Sequence, residues 1–327
     1  MLTQAFRWLC ETRNHYHYND DVWHVRHWWA REQRLLQAQL RAGTYRLSEC
    51  RLVRGRERTS EIWCATDALV LKALALVLTA HLNPHLSRRC FHLAGRGGLK
   101  GAVREVAGQM ARQTFVFRTD VKSYYASIDH GILFNLVRQQ VKEGRILALM
   151  WQYLTRVVSD GGDYTAIEQG IALGCPLSPL MGALYLKPLD DRMAQMGCGY
   201  VRYMDDWVVL APTRWKLRAA IRTVNQVMAQ LRVRQHPDKT IIGRIARGFD
   251  FLGYRFSSAG LAVARCVARI SQLYEQGAAA SRIGAYVQRW ERWVRAGLGG
   301  MVVAMMAASE NRMLCFPVMN GGVSLVE

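Results

Sequence analysis

The sequence predicts an α+β fold, and three observations carry that expectation. Apolar β-type runs at 200–201 and 207–210 flank the acidic pair Asp205-Asp206, so this stretch reads as a hairpin with carboxylates at its turn. A second β-rich run, residues 114–119, ends on Asp120. Around these strands, residues 67–81, 131–158 and 214–231 read as helices. Adjacent aspartates between strands repel each other and add nothing to a core, so keeping them makes physical sense where cations sit on them. On these residues alone, a solvated acidic turn and an unrelated strand-end aspartate remain the plainer alternative.

Taken in order, residues 1–43 form an N-terminal basic and aromatic helical extension, in which 30–41 reads as a helix closed by Gly43. The run His15-Tyr16-His17-Tyr18, with His24, His27, Trp28 and Trp29, reads as core aromatics and RNA-stacking side chains. A metal cluster is the alternative, but no carboxylate or cysteine joins these residues at ligand spacing. Residues 44–60 are β-rich and partly looped, with Arg46, Arg51, Arg54, Arg56 and Arg58 as either a solvated face or a grip on a triphosphate. Residues 67–81 are apolar enough for a buried helix. The segment Gly95-Arg96-Gly97-Gly98, with Lys100 and Gly101, lacks Walker spacing and reads as a turn that lets backbone approach nucleic acid.

Helical character over 131–158 precedes a loop, 170–179, that feeds a helix at 180–189. Asp129 suits a helix N-cap, while Asp190 and Asp191 suit a helix surface. After the helix at 214–231, residues 249–256 return to β character. Ser281 can cap a last helix with the stripe Ile283, Val287, Trp290 and Val294, stopped by Gly297. Its other side carries Arg289, Arg292 and Arg295, which suit a duplex backbone or plain solvent about equally.

Composition bounds the partners. The chain has 327 residues, is 50% hydrophobic and can bury a core spanning two or three lobes. A net charge of +19, carried mostly by arginine, points to a polyanion, with nucleic acid the first candidate. Eight cysteines lie far apart with no Cys-x-x-Cys pair, which fits reduced thiols packed as small hydrophobes. The longest apolar stretch, 68–80, contains Lys72 and is too short for a bilayer, and Arg7 and Arg13 flank only a brief apolar patch at the start. A cytoplasmic protein with no membrane partner is expected.

Oxygen ligands converging from the hairpin and from the strand ending at Asp120 are what two magnesium ions need for in-line phosphoryl displacement. Several motifs then recur in the right order. Phe117-Arg118-Thr119-Asp120-Val121-Lys122-Ser123-Tyr124-Tyr125, Gly174-Cys175-Pro176-Leu177-Ser178-Pro179-Leu180, Tyr203-Met204-Asp205-Asp206, His236-Pro237-Asp238-Lys239-Thr240 and Phe249-Asp250-Phe251-Leu252-Gly253-Tyr254 together resemble a bacterial reverse transcriptase of the group II intron-like branch.

The resemblance implies a right-hand polymerase fold: fingers at 44–115, an antiparallel-sheet palm at 116–245 with finger helices near 131–170, primer grip and helical thumb at 246–312, and a short tail at 313–327. It implies that Asp120, Asp205 and Asp206, with the Val121 carbonyl, hold two Mg2+ ions, Mn2+ being possible. It makes Lys239 a general acid for pyrophosphate and Tyr125 the ring that excludes a 2′-hydroxyl. Arg58, with Arg56 and Arg54 as less certain alternatives, would hold the triphosphate. Gly174 and Ser178 would face the nucleotide, Phe251, Leu252 and Gly253 the primer, and Arg289, Arg292 and Arg295 the duplex.

The implied partners are an RNA template, deoxynucleotides and a DNA product. Leu173 stands where many relatives have glutamine, the thumb lacks Val-Thr-Gly, the loop before Pro179 lacks Ser-Gln, and the chain ends soon after the thumb. By elimination the resemblance is to stand-alone, defence-associated or unclassified enzymes that copy a partner noncoding RNA. The alternatives are an intron-type or other retroelement enzyme, an RNA-directed RNA polymerase, and a non-catalytic RNA-binding module.

Overall fold

In the computed structural model, the described residues are 1–55, 59–257, 260–263, 273, 275–277, 279–286 and 288–289. The chain begins with helices α1 (Leu2–Thr12), α2 (Asp21–His27) and α3 (Trp29–Ala42). Asp20 caps α2 by accepting from the Val22 amide, and Gly43 closes α3 at φ 72°, as its position predicts. Ala5 and Leu9 of α1 are fully buried in the main core, so this segment is part of the body of the protein.

Next come β1 (Cys50–Arg54), β2 (Thr59–Ile62) and α4 (Ala65–Leu82). Asp67, in the first turn of α4, is buried and accepts from the Tyr45 hydroxyl at 2.5 Å and the Ser48 amide at 2.8 Å, which lashes the preceding loop to the helix. The apolar run is longer than 68–80 suggested. Ala65–His85 is long and apolar enough, by length and composition, to cross a membrane, and 61% of its most apolar window is buried inside this fold.

The glycine-rich segment opens a helix, α5 (Gly98–Met110), from Gly97 at φ 89°. There follow β3 (Phe115–Asp120), α6 (Tyr124–Ser127), α7 (His130–Gln140), α8 (Gly144–Leu154), β4 (Val157–Asp160) and β5 (Asp163–Ala166). The helical stretch expected over 131–158 is therefore broken. Val141 is extended, Glu143 recaps α8 by accepting from the Arg145 amide, and β-branched Val157 and Val158 enter a strand. Asp129 caps α7 as expected, accepting from the Ile132 amide at 2.9 Å.

The helix expected at 180–189 is two helices, α9 (Ser178–Tyr185) and α10 (Lys187–Gln195). Pro179 sits in the first turn of α9 and Pro188 in that of α10, where a missing amide costs nothing; in a continuous helix Pro188 would break the ladder. The rest is β6 (Gly199–Tyr203), β7 (Asp206–Ala211), α11 (Arg214–Gln230), β8 (Ile241–Arg244), β9 (Phe249–Phe251), β10 (Tyr254–Ser257) and β11 (Gly260–Val263). Residues 280–286 are helical, with the Arg282 and Ile283 amides bonded to the Ala279 carbonyl, so this helix starts one residue before Ser281. Arg289 is exposed, while Val287, Trp290, Arg292, Val294, Arg295 and Gly297 lie outside the described residues.

Among the described residues the strands form three sheets. One, β2-β1-β4-β5, is antiparallel except for the parallel β1/β4 pair. A second, β11-β10-β9, is antiparallel and shares a small core with α5. The third, β6-β7-β3-β8, is wholly antiparallel and lies against the main core, with Phe117, Tyr200, Trp207 and Val209 fully buried on its inner face.

Asp190 corrects an expectation. It is buried, not on a helix surface: Arg202 of β6 forks onto it at 2.7 and 2.5 Å, the Tyr200 hydroxyl adds 2.8 Å, and both partners of the ion pair are fully enclosed. Asp191 is exposed and pairs with Lys187 one helical turn away. Removing one partner of an enclosed pair leaves a buried charge uncompensated. Asp190→Ala is expected to lower the unfolding free energy by about 3–5 kcal/mol in a urea titration. A loss below about 0.5 kcal/mol would mark Asp190 as a surface residue.

Candidate active site

Strand register brings the predicted carboxylates together. β3 is central in its sheet, and Asp120, its last residue, pairs directly with Asp206, the first residue of β7. On the other side Arg118 pairs with Ile241 of β8, and continuing that register by two residues sets Lys239 opposite Asp120. Asp120 thus lies between a carboxylate and an ammonium. Tyr203 pairs with Asp206, so Met204 and Asp205 alone form the turn, and the Asp205 carbonyl accepts from the Val121 amide at 3.3 Å.

Charge balance follows from that placement. Lys239 donates to Asp120 Oδ2 at 2.5 Å, and Arg118 forks onto Asp206 at 3.0 and 2.7 Å across the diagonal of the sheet. Burial pushes the Asp206 carboxyl up to about 6 even with Arg118 pulling it down. Burial, and then the neighbouring Asp120 charge, raises Asp205 as well.

Among the described residues no three carboxylate, His or Cys side chains close into a ready-made metal cage, and Arg118 and Lys239 pair with two of the carboxylates. One observation nevertheless fits a cation-binding role. Asp120 is only 5% exposed, and its Oδ1 is buried with no hydrogen-bond partner among the described residues. Three carboxylate side chains, one of them with an orphaned oxygen, make a hard-oxygen set suited to magnesium.

Beside the turn opens a cleft of about 530 Å³, lined by Tyr125, Gln169, Leu173, Met204 and Asp205, with the Glu61–Arg156 pair also contributing. Tyr125 stands on α6, its phenol pushed up by burial and by Asp205. Gly170, at φ 88°, lets the opposite wall press against it: a Cβ there would sit 3.0 Å from the Ala126 backbone and the Tyr125 carbonyl. The Gly170 carbonyl is held by Arg156 at 2.9 Å and by His130 Nε2 at 2.8 Å, and the Ile171 amide bonds the Tyr125 carbonyl at 2.9 Å.

The other expected site residues are placed unevenly. Gly174 lies in the exposed loop before α9 at φ 93°. Ser178 is buried, its hydroxyl donating to the Ala172 carbonyl at 2.6 Å and meeting Tyr153 Oη at 2.6 Å, so it is occupied in packing rather than open to a nucleotide. Arg54 is forked onto Asp160 across the sheet, and Arg56 and Arg58 lie outside the described residues. The Phe251 ring is in the small core, leaving Leu252 and Gly253 as the positive-φ turn between β9 and β10. Arg118, Arg156 with Glu61, and His130 are site-supporting residues that sequence reasoning did not single out. Only Arg118 had a local signal, lying two residues before Asp120 on the same strand face.

Residues 65–256 match the family described as "Reverse transcriptase (RNA-dependent DNA polymerase)". Among curated proteins, the chain is 23% identical to Protein YkfC of Escherichia coli (strain K12), over 68% of this chain and 71% of that protein. It is 22% identical to the group II intron-encoded protein LtrA of Lactococcus lactis subsp. cremoris, over 40% of this chain and only 22% of that protein. Telomerase from Candida albicans, solved with a fragment of telomeric RNA, superposes with a TM-score of 0.52 at 12% identity, covering 69% of this chain and 46% of that one. Apo telomerase from Candida tropicalis gives 0.54 at 10% identity, covering 66% and 55%. The likeness to these structures is one of fold, a right-hand polymerase of mixed helices and sheets.

Two expected outcomes follow from the wall of the cleft. Gly170→Ala should cost about 2–4 kcal/mol, combining left-handed backbone strain with the backbone clash, whereas Gly174→Ala, where a Cβ meets open space, should cost about 1–2 kcal/mol. Chemical denaturation of the pair checks this, and equal losses would refute the close approach. Burial holds the His130 imidazole below its ordinary value, so the unfolded chain binds that proton first as pH falls. Its contribution to stability is present above the unfolded value near 6.5 and is lost as pH drops toward the folded value. Urea midpoints from pH 7.5 down to 5 should therefore fall more steeply for the wild type than for His130→Gln.

Proposed function

The chain belongs to the reverse transcriptase family, and on that premise we propose that it is an RNA-directed DNA polymerase, extending a primer 3′-hydroxyl with deoxynucleotides along an RNA template. The observation that carries this reading is the pairing of Asp120 with Asp206 across adjacent strands, with Asp205 in the turn beside them, at the edge of a cleft lined by Tyr125. Asp120, Asp205, Asp206 and the Val121 carbonyl would hold two magnesium ions, or manganese, which supply an activated hydroxyl and charge compensation for departing pyrophosphate.

The chain's own groups do the rest. Tyr125 is wedged against Gly182, whose missing Cβ lets the ring in, and it leaves no volume for a ribose 2′-oxygen. Lys239 is a half-exposed ammonium beside Asp120, placed to donate a proton and neutralise charge on a leaving phosphate. In this proposal Arg58 and Arg56 grip the triphosphate, the Leu252-Gly253 turn meets the primer, and Arg289, Arg292 and Arg295 follow the duplex. The division into fingers, palm and thumb at 44–115, 116–245 and 246–312 belongs to the same proposal.

A narrower reading is that the enzyme copies a structured noncoding RNA in the cytoplasm as part of bacterial anti-phage defence. It is supported by Leu173, exposed on the cleft wall where a glutamine is common, and by the sequence departures that set the chain apart from retrons and diversity-generating elements. Sequencing RNA and DNA that copurify with the wild type, but not with an Asp205→Ala/Asp206→Ala variant, tests it; an intron with spliceable ends as the copied RNA would refute it.

The activity itself has a direct assay. On an RNA template with a DNA primer, Asp205→Ala/Asp206→Ala is expected to cut extension by at least about a hundredfold without loss of fold. Tyr125→Ala should raise the use of ribonucleotides relative to deoxynucleotides by about tenfold or more. Wild-type preference for ribonucleotides would instead mark an RNA-directed RNA polymerase.

A further inference from the structure

Met204 is the first residue of the two-residue turn and adopts φ +56°, a left-handed conformation that costs a non-glycine side chain about 1–2 kcal/mol. Its peptide groups are nevertheless both fixed, and by side chains from outside the turn. The Met204 amide donates to His92 Nδ1 at 3.0 Å. Its carbonyl accepts from Arg202 Nη1 at 2.8 Å.

Each of these side chains is itself anchored. Because Nδ1 accepts, the imidazole proton is on Nε2, which donates to the Pro179 carbonyl of α9 at 3.1 Å. The Cys90 thiol lies 3.4 Å from the same Nδ1, and the Tyr203 ring packs edge-on to the imidazole at 6.0 Å. Arg202 is fully buried, forked onto Asp190 of α10, and also donates to the Ala183 carbonyl of α9 at 3.2 Å. The backbone explains how His92 gets there. Cys90 and Arg202 form a parallel bridge, with the Phe91 amide bonded to the Arg202 carbonyl at 2.8 Å and the Arg202 amide to the Arg89 carbonyl at 2.9 Å. A segment running alongside β6 in that register sets residue 92 next to residue 204.

We infer that His92 and Arg202, the latter backed by Asp190, are positioning residues that clamp both backbone polar groups of Met204 and so fix the direction in which Asp205 is presented. The inference rests on the polymerase reading of Asp205 given above. Neither side chain touches a substrate in this scheme. Arg202 holds the peptide plane between Met204 and Asp205, His92 holds the plane before it, and a rotation of either would swing the carboxylate away from Asp120. The helices α9 and α10 thereby govern the turn from beneath the sheet.

The two nitrogens of His92 allow a test that separates clamping from folding. In His92→Asn the amide oxygen replaces the Nδ1 acceptor, whereas in His92→Gln the amide group reaches the Nε2 position and keeps the link to Pro179 without an acceptor for Met204. His92→Gln is expected to lower kcat for primer extension by about tenfold, with KM for nucleotide and primer-template within about twofold. His92→Asn should restore most of the loss. Hydrogen exchange in a peptide covering 200–208 should be about tenfold faster in His92→Gln than in the wild type or His92→Asn, by the loss of one hydrogen bond. Equal kcat and equal exchange in the two variants, both folded by circular dichroism, would overturn the clamp. If the wild type itself fails to extend a primer, the polymerase reading falls, and the exchange comparison still decides whether His92 holds the turn.

Discussion

Mutual repulsion of three carboxylates at one end of a sheet is the constraint around which this structure is arranged. Asp120 and Asp206 face each other across neighbouring strands, and Asp205 is one residue away. Burial raises the proton affinity of Asp205 and Asp206, and the neighbouring carboxylates raise it further. The fold responds with two cations drawn from positions that strand register dictates: Arg118 diagonally across from Asp206, and Lys239 opposite Asp120. Only a sheet with β3 in the middle can bring these groups together, since the residues span more than a hundred positions of chain.

Holding the charges apart by rigid backbone is the second half of the solution. The turn that carries Asp205 has no glycine, and its left-handed residue is hydrogen-bonded on one side to half-buried His92 and on the other to fully buried Arg202. The cleft wall works differently. There Gly170 and Gly182 permit close approach to Tyr125, so the space beside the carboxylates is shaped by absent side chains.

The strand-turn-strand context of Asp205-Asp206 and the strand-end position of Asp120 were legible because both are local, period-two patterns. So was the cap at Asp129, as was the end of α3 at Gly43. What was not legible locally depends on which strands are neighbours. Nothing in residues 89–92 signals that they run beside Arg202, and Arg118 becomes meaningful only when β7 lies next to β3. Two of the differences do carry a local signal. Pro188 marks the interruption at Leu186, since a proline has no amide for a continuing helix but fits the first turn of a new one. Asp190 shares its helix face with Leu186 and Met193, both buried, which argues for an interior carboxylate with a partner.

The two counter-cations are not equivalent, and the difference bears on the proposed chemistry. Arg118 is 13% exposed and bidentate, wedged between strands, so it stays on Asp206. Lys239 is 49% exposed, makes a single contact with Asp120 and sits on a short 3-10 turn, at the end of a flexible stem. A carboxylate forked by a guanidinium has fewer lone pairs to offer, so in the proposed metal-binding role Asp206 would be the weaker of the three oxygen donors. Asp120, by contrast, has one oxygen without a partner among the described residues and another held only by the half-exposed Lys239. In a polymerase the same ammonium, once released from Asp120, is free to meet a leaving phosphate. The Lys239–Asp120 contact that neutralises the acidic centre is thus the one that Lys239, in its proposed role as proton donor, would have to break in order to act.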